Sequence, residues 1–474
     1  MAELLAAASP RGRGVLTATV LGSGMAMLDG TVVNVALRRI GTTLGASVAE
    51  LQWVVNAYML SLASLILVGG ALGDRFGRRR VYMVGVTWFA AASVLCGLAR
   101  TPEQLIAARL VQGVGAALLT PGSLALIQAS FRPQDRAAMI GRWAGLGGVA
   151  AAVGPVLGGW IVDNASWRWI FWINVPVAVV VLVLCRRCVP ESCDEQVDRG
   201  FDVPGAVLGA VGLGALTYAL IEAQEVAAGY VVTAAAVGTA SLCLFVLRER
   251  RAPHPLVPLH LFRSRVFSIA NAMTLLVYGA LAAMLFFLVL QLQVSAGYTP
   301  LQAGFATVPL TVVMLLLSSR SGALAGRIGP RLQLSAGPVI CAAGALLLRD
   351  VGAGTSYLTG VLPGLLVFSL GLVALVAPLT ASVLATAPDR LAGTASGINN
   401  AVARTGSLLS VAALPAAVGI TGADYRSAEA FTAGYTEALL VCALLLAAGG
   451  VVSLVGLRGV PRPAPRVPAP APSR

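Results

Sequence analysis

The chain reads as long apolar runs cut by short polar punctuation. A helix that crosses a bilayer needs about 20 apolar residues, and fourteen such runs can be counted. They lie at approximately 15–37, 52–73, 81–99, 105–130, 138–161, 168–186, 203–221, 229–247, 267–293, 301–323, 332–349, 356–378, 392–420 and 433–457. The two longest charged connections, 186–202 and 248–265, bracket the seventh and eighth runs. The pattern therefore predicts an all-α polytopic membrane protein with a short N-terminus (1–14), a six-helix bundle (15–187), a linker with two extra helices (188–266), a second six-helix bundle (267–457) and a tail (458–474). The tail is rich in Pro and Arg and is expected to be extended and disordered. No small-residue cleavage site follows a short apolar core at the N-terminus, so the first run is expected to stay as a helix and not to be a signal peptide.

Composition agrees. A length of 474 residues would suit about three soluble domains, but 57% hydrophobic and 11% charged residues belong to a membrane protein. The 53 Gly allow close helix packing in lipid. The formal net charge of +13 would suit a nucleic-acid partner, yet its distribution points elsewhere. There is no Lys, so all 33 basic residues are Arg. With the N-terminus inside, 25 of them fall in cytoplasmic segments and six in outer ones, while Arg109 and Arg404 lie within spans. That is a positive-inside bias, and an even number of spans puts both termini in the cytoplasm. No nucleic acid is expected, and lipid is the surrounding partner.

Cys185, Cys188 and Cys193 have no His nearby and fit no zinc spacing, so no metal is expected. His254 and His260 share one polar loop and carry no assigned role. No paired-carboxylate motif suggests an enzyme.

A weak internal repeat runs through the chain. The loop after the second run reads Gly-Ala-Leu-Gly-Asp-Arg-Phe-Gly-Arg-Arg at 70–79, and that after the tenth reads Gly-Ala-Leu-Ala-Gly-Arg-Ile-Gly-Pro-Arg at 322–331. Arg136 and Gly141 open the fifth run as Arg390 and Gly397 open the thirteenth. Two matching halves are the mark of a transporter that rocks about a central site.

One acid stands in the first run. Asp29 must be neutral, paired or facing water to lie at that depth. It is eight residues from the outer end of its run, and Arg109 is four from the outer end of the fourth. Both fall in the outer half, so an ion pair or a water link between them is expected.

Several motifs then coincide. Gly70, Gly73 and Gly77 permit a tight turn, Asp74 can cap a helix or pair with Arg, and Arg75, Arg78 and Arg79 hold the loop at the inner surface. The fourth run carries Leu105, Arg109, Gln112, Gly113, Gly115, Ala116 and Ala117. The fifth carries Gly147, Gly148, Gly154, Pro155, Gly158 and Gly159, and the first carries Leu28-Asp29-Gly30-Thr31-Val32-Val33-Asn34 through Leu37. Together these resemble the major facilitator superfamily and, within it, the fourteen-helix drug:proton antiporter branch, over nearly the whole chain. The branch usually ends its first-helix motif with Pro, where this chain has Arg38.

The resemblance implies two six-helix bundles plus two extra helices, a monomer, and export of drug-like small molecules from a bacterial cytoplasmic membrane. It implies proton coupling at Asp29 and Arg109 and a conformational latch at Gly70, Gly73, Asp74, Arg75, Gly77, Arg78 and Arg79. It further implies a helix controlling leak and opening at Gly154, Pro155, Gly158 and Gly159. Asn34, Tyr58, Gln112, Trp172, Asn174, Asn399, Asn400 and Arg404 are candidates for the cavity. No nucleotide-binding GxxxxGK[ST] occurs, so protons are the expected coupling ion and no cofactor is expected. An exporter dedicated to one natural product, an uptake facilitator and a non-transporting sensor are the competing readings.

Overall fold

The computed structural model describes residues 4–193, 202–386, 391–420 and 427–458. The tail beyond 458, with Arg199, Arg390 and Arg426, lies outside the described residues.

Each predicted run is a helix. They are α1 (Pro10–Leu44), α2 (Val48–Phe76), α3 (Arg78–Leu98), α4 (Pro102–Ser130), α5 (Pro133–Asn164) and α6 (Trp169–Trp172 continued by Asn174–Cys188). Next come α7 (Val203–Ile221), α8 (Ala228–Arg251), α9 (Arg265–Val294) and α10 (Pro300–Ala306 continued by Val308–Ile328). The last four are α11 (Pro330–Leu348), α12 (Leu362–Ala385, entered through Tyr357–Val361), α13 (Ala392–Ala417) and α14 (Ala428–Gly456). Thirteen of these are long and apolar enough to cross a membrane. The other, α13, is long enough but is diluted by Asn399, Asn400, Arg404 and several Gly and Ser.

The ends of the helices are written locally. Ser9 accepts from Gly12 N and Pro10 opens the first turn, so α1 starts before its apolar run does. Ser47 with Glu50, and Thr299 with Gln302, form capping boxes. α1 also outlasts its apolar run, ending only at Gly45 in the left-handed region (φ 69°).

Helices α1–α6 pack together and α9–α14 pack together in matching pairs. α3 meets α4 through Gly85 and Gly115, where an added Cβ on either would lie 2.6–3.1 Å from the other helix's backbone. α11 meets α12 in the same way through Gly337 and Gly371. Such contacts are available only to glycine and let the axes approach closely. α7 joins the assembly beside α2 and α13: Trp53 Nε1 donates to Glu222 Oε1 at 2.8 Å, and Gln224 Nε2 donates to Ala416 O at 3.1 Å. α8 packs mainly on α7 and is largely exposed.

On one flank the halves are closed at one end and apart at the other. Residues 141, 145, 148, 155 and 159 of α5 share one stripe by helical periodicity. At the end opposite the α2–α3 loop this stripe is tight against α10. A Cβ on Gly159 would lie 2.6 Å from Pro300 O, and one on Gly304 would collide with Pro155 O. Toward the Arg-rich end, Gly141, Gly145 and Gly148 have nothing within 4 Å. The closed end is also tied by charge and amide groups. Leu301 N donates to Asp163 Oδ2 at 3.0 Å, Gln293 Nε2 to Val35 O at 3.1 Å, and Arg38 Nη1 to Gln293 O.

Candidate functional site

Asp29 and Arg109 meet as an ion pair, each only 1% exposed. The pair sits in a network that draws on five helices of the first half. Arg109 Nη1 also donates to Gln112 Oε1 at 2.7 Å, and its Nε donates to Val54 O at 3.1 Å. Gln112 Nε2 donates to Asp29 Oδ1 at 2.9 Å and to Ser93 Oγ at 3.2 Å. Ser93 in turn donates to Phe171 O at 2.9 Å and accepts from Asn174 Nδ2 at 2.9 Å. Both carboxylate oxygens of Asp29 are therefore engaged, which is the condition for tolerating a buried charge. Gln112 lies one helical turn after Arg109, so the pair of donors faces Asp29 together.

The aromatic wall completes the site. The Arg109 guanidinium lies over the Tyr58 ring at 4.4 Å and faces Phe171 at 5.8 Å. Tyr58 is buried, its hydroxyl donating to Ala26 O at 3.3 Å. A planar, weakly hydrated guanidinium is the cation best suited to such a face.

The depth expected for Asp29 needs correction. α1 runs on to Leu44, so Asp29 is 15 residues, about 22 Å, from that end and lies at mid-helix. The helix continues because the polar residues after Leu37 find partners: Thr43 Oγ1 donates to Arg39 O at 2.7 Å, and Arg38 reaches α9. Arg38 thus does not end α1 as Pro would; it ties the closed end together.

The expected glycine turn is also different. Only Gly77 has a positive φ (105°), and it forms the whole break between α2 and α3. Gly70 and Gly73 are helical with ordinary surroundings, while the tightly packed glycine is Gly69, whose Cβ would collide with Ala117 O. Asp74 pairs with Arg78 at 2.8 Å. Arg79 and Arg80 face Glu191 at 3.6 and 3.7 Å, and Arg75 lies over Phe76 at 4.9 Å. These contacts tie the loop to itself and to Glu191 at the start of the linker.

The later glycines of α5 have defined seats. Gly154 and Gly158 rest on α1 at Thr31 and Val32, and Gly159 rests on α10 of the other half. Pro155 lies inside α5, where its ring removes a helical hydrogen bond.

Of the cavity candidates, Gln112 and Asn174 belong to the Asp29 network. Trp172 packs into the notch left by Gly97 and against Trp169, so it serves the first half's own packing. Asn34 keeps a buried Oδ1 with no partner. Asn399 Nδ2 donates to Thr274 Oγ1 at 2.8 Å and to Asn271 Oδ1 at 3.1 Å, and Asn400 is partly exposed. Arg404 stands thirteenth of 26 residues in α13, close enough for its charge to act on Tyr58 of the first half and Tyr278 of the second.

Ser93, Glu191, Asp163 and Gln293 were not predicted. Ser93 is one small polar residue in an apolar run, and nothing in the sequence separates it from a packing serine. Glu191 lay among linker charges.

Comparison with known proteins places this geometry in context. Residues 19–411 match the family model described as Major Facilitator Superfamily. The chain is 38% identical to multidrug resistance protein Stp of Mycobacterium tuberculosis over 84% of its length and 74% of that protein's. It is 35% identical to the tetracenomycin C resistance and export protein of Streptomyces glaucescens, again over 84% and 74%. It is 35% identical to the methylenomycin A resistance protein of Bacillus subtilis over 93% and 96%. Among solved structures, it superposes with TM-score 0.67 on an inward-facing bacterial homologue of the human lysosomal transporter Spinster, at 16% identity over 95% of this chain and 98% of that one. It superposes with TM-score 0.70 on a POT family transporter, at 14% identity over 94% and 96%.

Proposed function

This chain belongs to the major facilitator superfamily, and on that premise we propose that it exports drug-like small molecules in exchange for protons across a bacterial cytoplasmic membrane. The observation that carries the reading is the Asp29–Arg109 ion pair, buried within the first of two halves that, along α5 and α10, close at only one end. Resistance and export proteins for multiple drugs and single antibiotics among its relatives support the substrate class.

The Arg bias supports a cytoplasmic position for both termini. The closed end at Arg38, Asp163 and Gly159 then faces outward, and the described conformation opens inward. A monomer surrounded by lipid suffices for this cycle.

In the outward-open state, a proton reaching Asp29 displaces Arg109 from the carboxylate, and the substrate leaves. After the halves rock, Asp29 releases the proton to the cytoplasm and the ion pair reforms. Each charge crossing the membrane contributes about 2.3 kcal/mol per 100 mV. Gly159 and Gly304 provide the outer seal, and Gly154 and Gly158 let α5 tilt on α1. The latch at Gly70, Gly73, Asp74, Arg75, Gly77, Arg78 and Arg79 braces the inner end of the first half. No cofactor other than the coupling proton takes part.

The test uses purified protein in proteoliposomes with an internal pH dye. Drug addition should drive proton flux in the wild type and none in Asp29→Asn, with both variants equally inserted. Drug-dependent proton flux in Asp29→Asn would sink the assignment.

A second reading, export of one natural product, is favoured by the single-antibiotic resistance proteins among the relatives. Resistance to one compound only, in a toxicity panel with a pump-deficient host, would select it.

A further inference from the structure

Resting on the export reading above, we propose that Arg404 is the substrate's charge-recognition site and that the exported molecule carries an anionic group, a carboxylate or an acidic phenol, that pairs with it.

Three charged side chains stand inside the helical bundle: Asp29 and Arg404 at mid-helix, and Arg109 two turns into α4. The first two cancel. Both oxygens of Asp29 are engaged, Oδ2 by Arg109 and Oδ1 by Gln112, so its charge is already compensated. Arg404 has no such partner. Its Nε is shut off from solvent and accepted by nothing, and the side chain makes no hydrogen bond or ion pair among the described residues. It lies twelve residues, about 18 Å, inside the start of α13.

An arginine cannot escape this situation by losing its proton, as a lysine can. A part-buried guanidinium without a counter-charge is costly unless water or an anion supplies acceptors. Its surroundings reject a cation and suit an aromatic anion. Tyr58 and Tyr278 lie within reach of its charge, one from each half. Ser407, one turn on, is already bonded to Tyr278 O. Of the described acids beside α7, Glu222 takes the Trp53 indole and Glu225 is exposed in the connection after α7. The mid-membrane site therefore carries a net charge of +1 with Asp29 ionised and +2 with it protonated.

One monoanion out for one proton in moves two charges along the membrane potential, against one for a neutral substrate.

The test compares two probes with the same ring frame and opposite charge, fluorescein and rhodamine 123, bound to the full chain in detergent and followed by anisotropy. The wild type should bind fluorescein at least tenfold more tightly than rhodamine 123. Arg404→Gln should lose at least tenfold in fluorescein affinity with rhodamine 123 unchanged or tighter, and Arg404→Lys should keep part of the preference. Absence of fluorescein binding to a monodisperse wild type, or equal loss of both probes in Arg404→Gln, overturns the proposal. Asp29→Asn should still bind fluorescein, so a failure of proton coupling and a failure of anion recognition give different results.

Discussion

In the first half every charged or amide group of the Asp29 network has a partner: Asp29, Arg109, Gln112, Ser93 and Asn174 hold one another. At the same level in the second half, Asn399 is held by Asn271 and Thr274, but Arg404 is held by nothing among the described residues. The backbones of the halves nevertheless pack alike, down to the glycine contacts of α3 with α4 and α11 with α12. The repeat preserves helix packing and lets the chemistry diverge. Packing depends on small residues at the crossings, whereas partner choice depends on a few polar positions that can change without disturbing those crossings.

The largest effect should come from breaking the satisfied side. Arg109→Ala leaves the Asp29 carboxylate buried with Gln112 alone, and losing one partner of a buried pair costs about 3–5 kcal/mol. The melting temperature in detergent should fall sharply. The double variant Asp29→Asn with Arg109→Gln should recover most of that loss while remaining uncoupled. Equal melting of the single and double variants would mean that the charge pair does not anchor this half.

A smaller effect is expected where the halves touch. Gly159→Val adds atoms against Pro300 O and Leu301, where there is no room. Overpacking of this kind costs about 1–3 kcal/mol, and only the state closed at this end bears it. A cysteine placed at Thr42 should therefore react faster with an impermeant maleimide in Gly159→Val than in the parent. Unchanged labelling would show that this contact does not hold the end closed.

The unsatisfied side should respond in the opposite sense to the first. Arg404→Leu removes a charge that has no partner, so stability should stay within about 1 kcal/mol of the parent or rise. A fall comparable to that of Arg109→Ala would mean that the second half hides a partner for Arg404.

The smallest effect should be at the loop. Asp74 and Arg78 form a half-exposed pair four residues apart, worth about 0.3–0.5 kcal/mol. Asp74→Asn should leave melting nearly unchanged, so any transport defect in it reads out rocking and not folding.

The helices were legible because each apolar run is long, and several starts are also marked by a local cap, as at Ser9, Ser47 and Thr299. The partnership of Asp29 and Arg109 was legible as well, since two lone charges in neighbouring apolar runs have few ways to be tolerated. Their depth was not. The polar end of α1 continues as helix, and there Arg38 reaches Gln293 O on α9, 255 positions further along the chain.

The sequence by itself determined the helical runs, thirteen of which meet the length and hydropathy of a span, and the family, because hydrophobic length and glycine punctuation act locally along the chain. Only the tertiary structure decided which donors hold Asp29, which glycines seal one end against α10, and that Arg404 has no partner among the described residues. Those outcomes depend on helix rotation, which is set by contacts between residues far apart in sequence, and no local pattern encodes it.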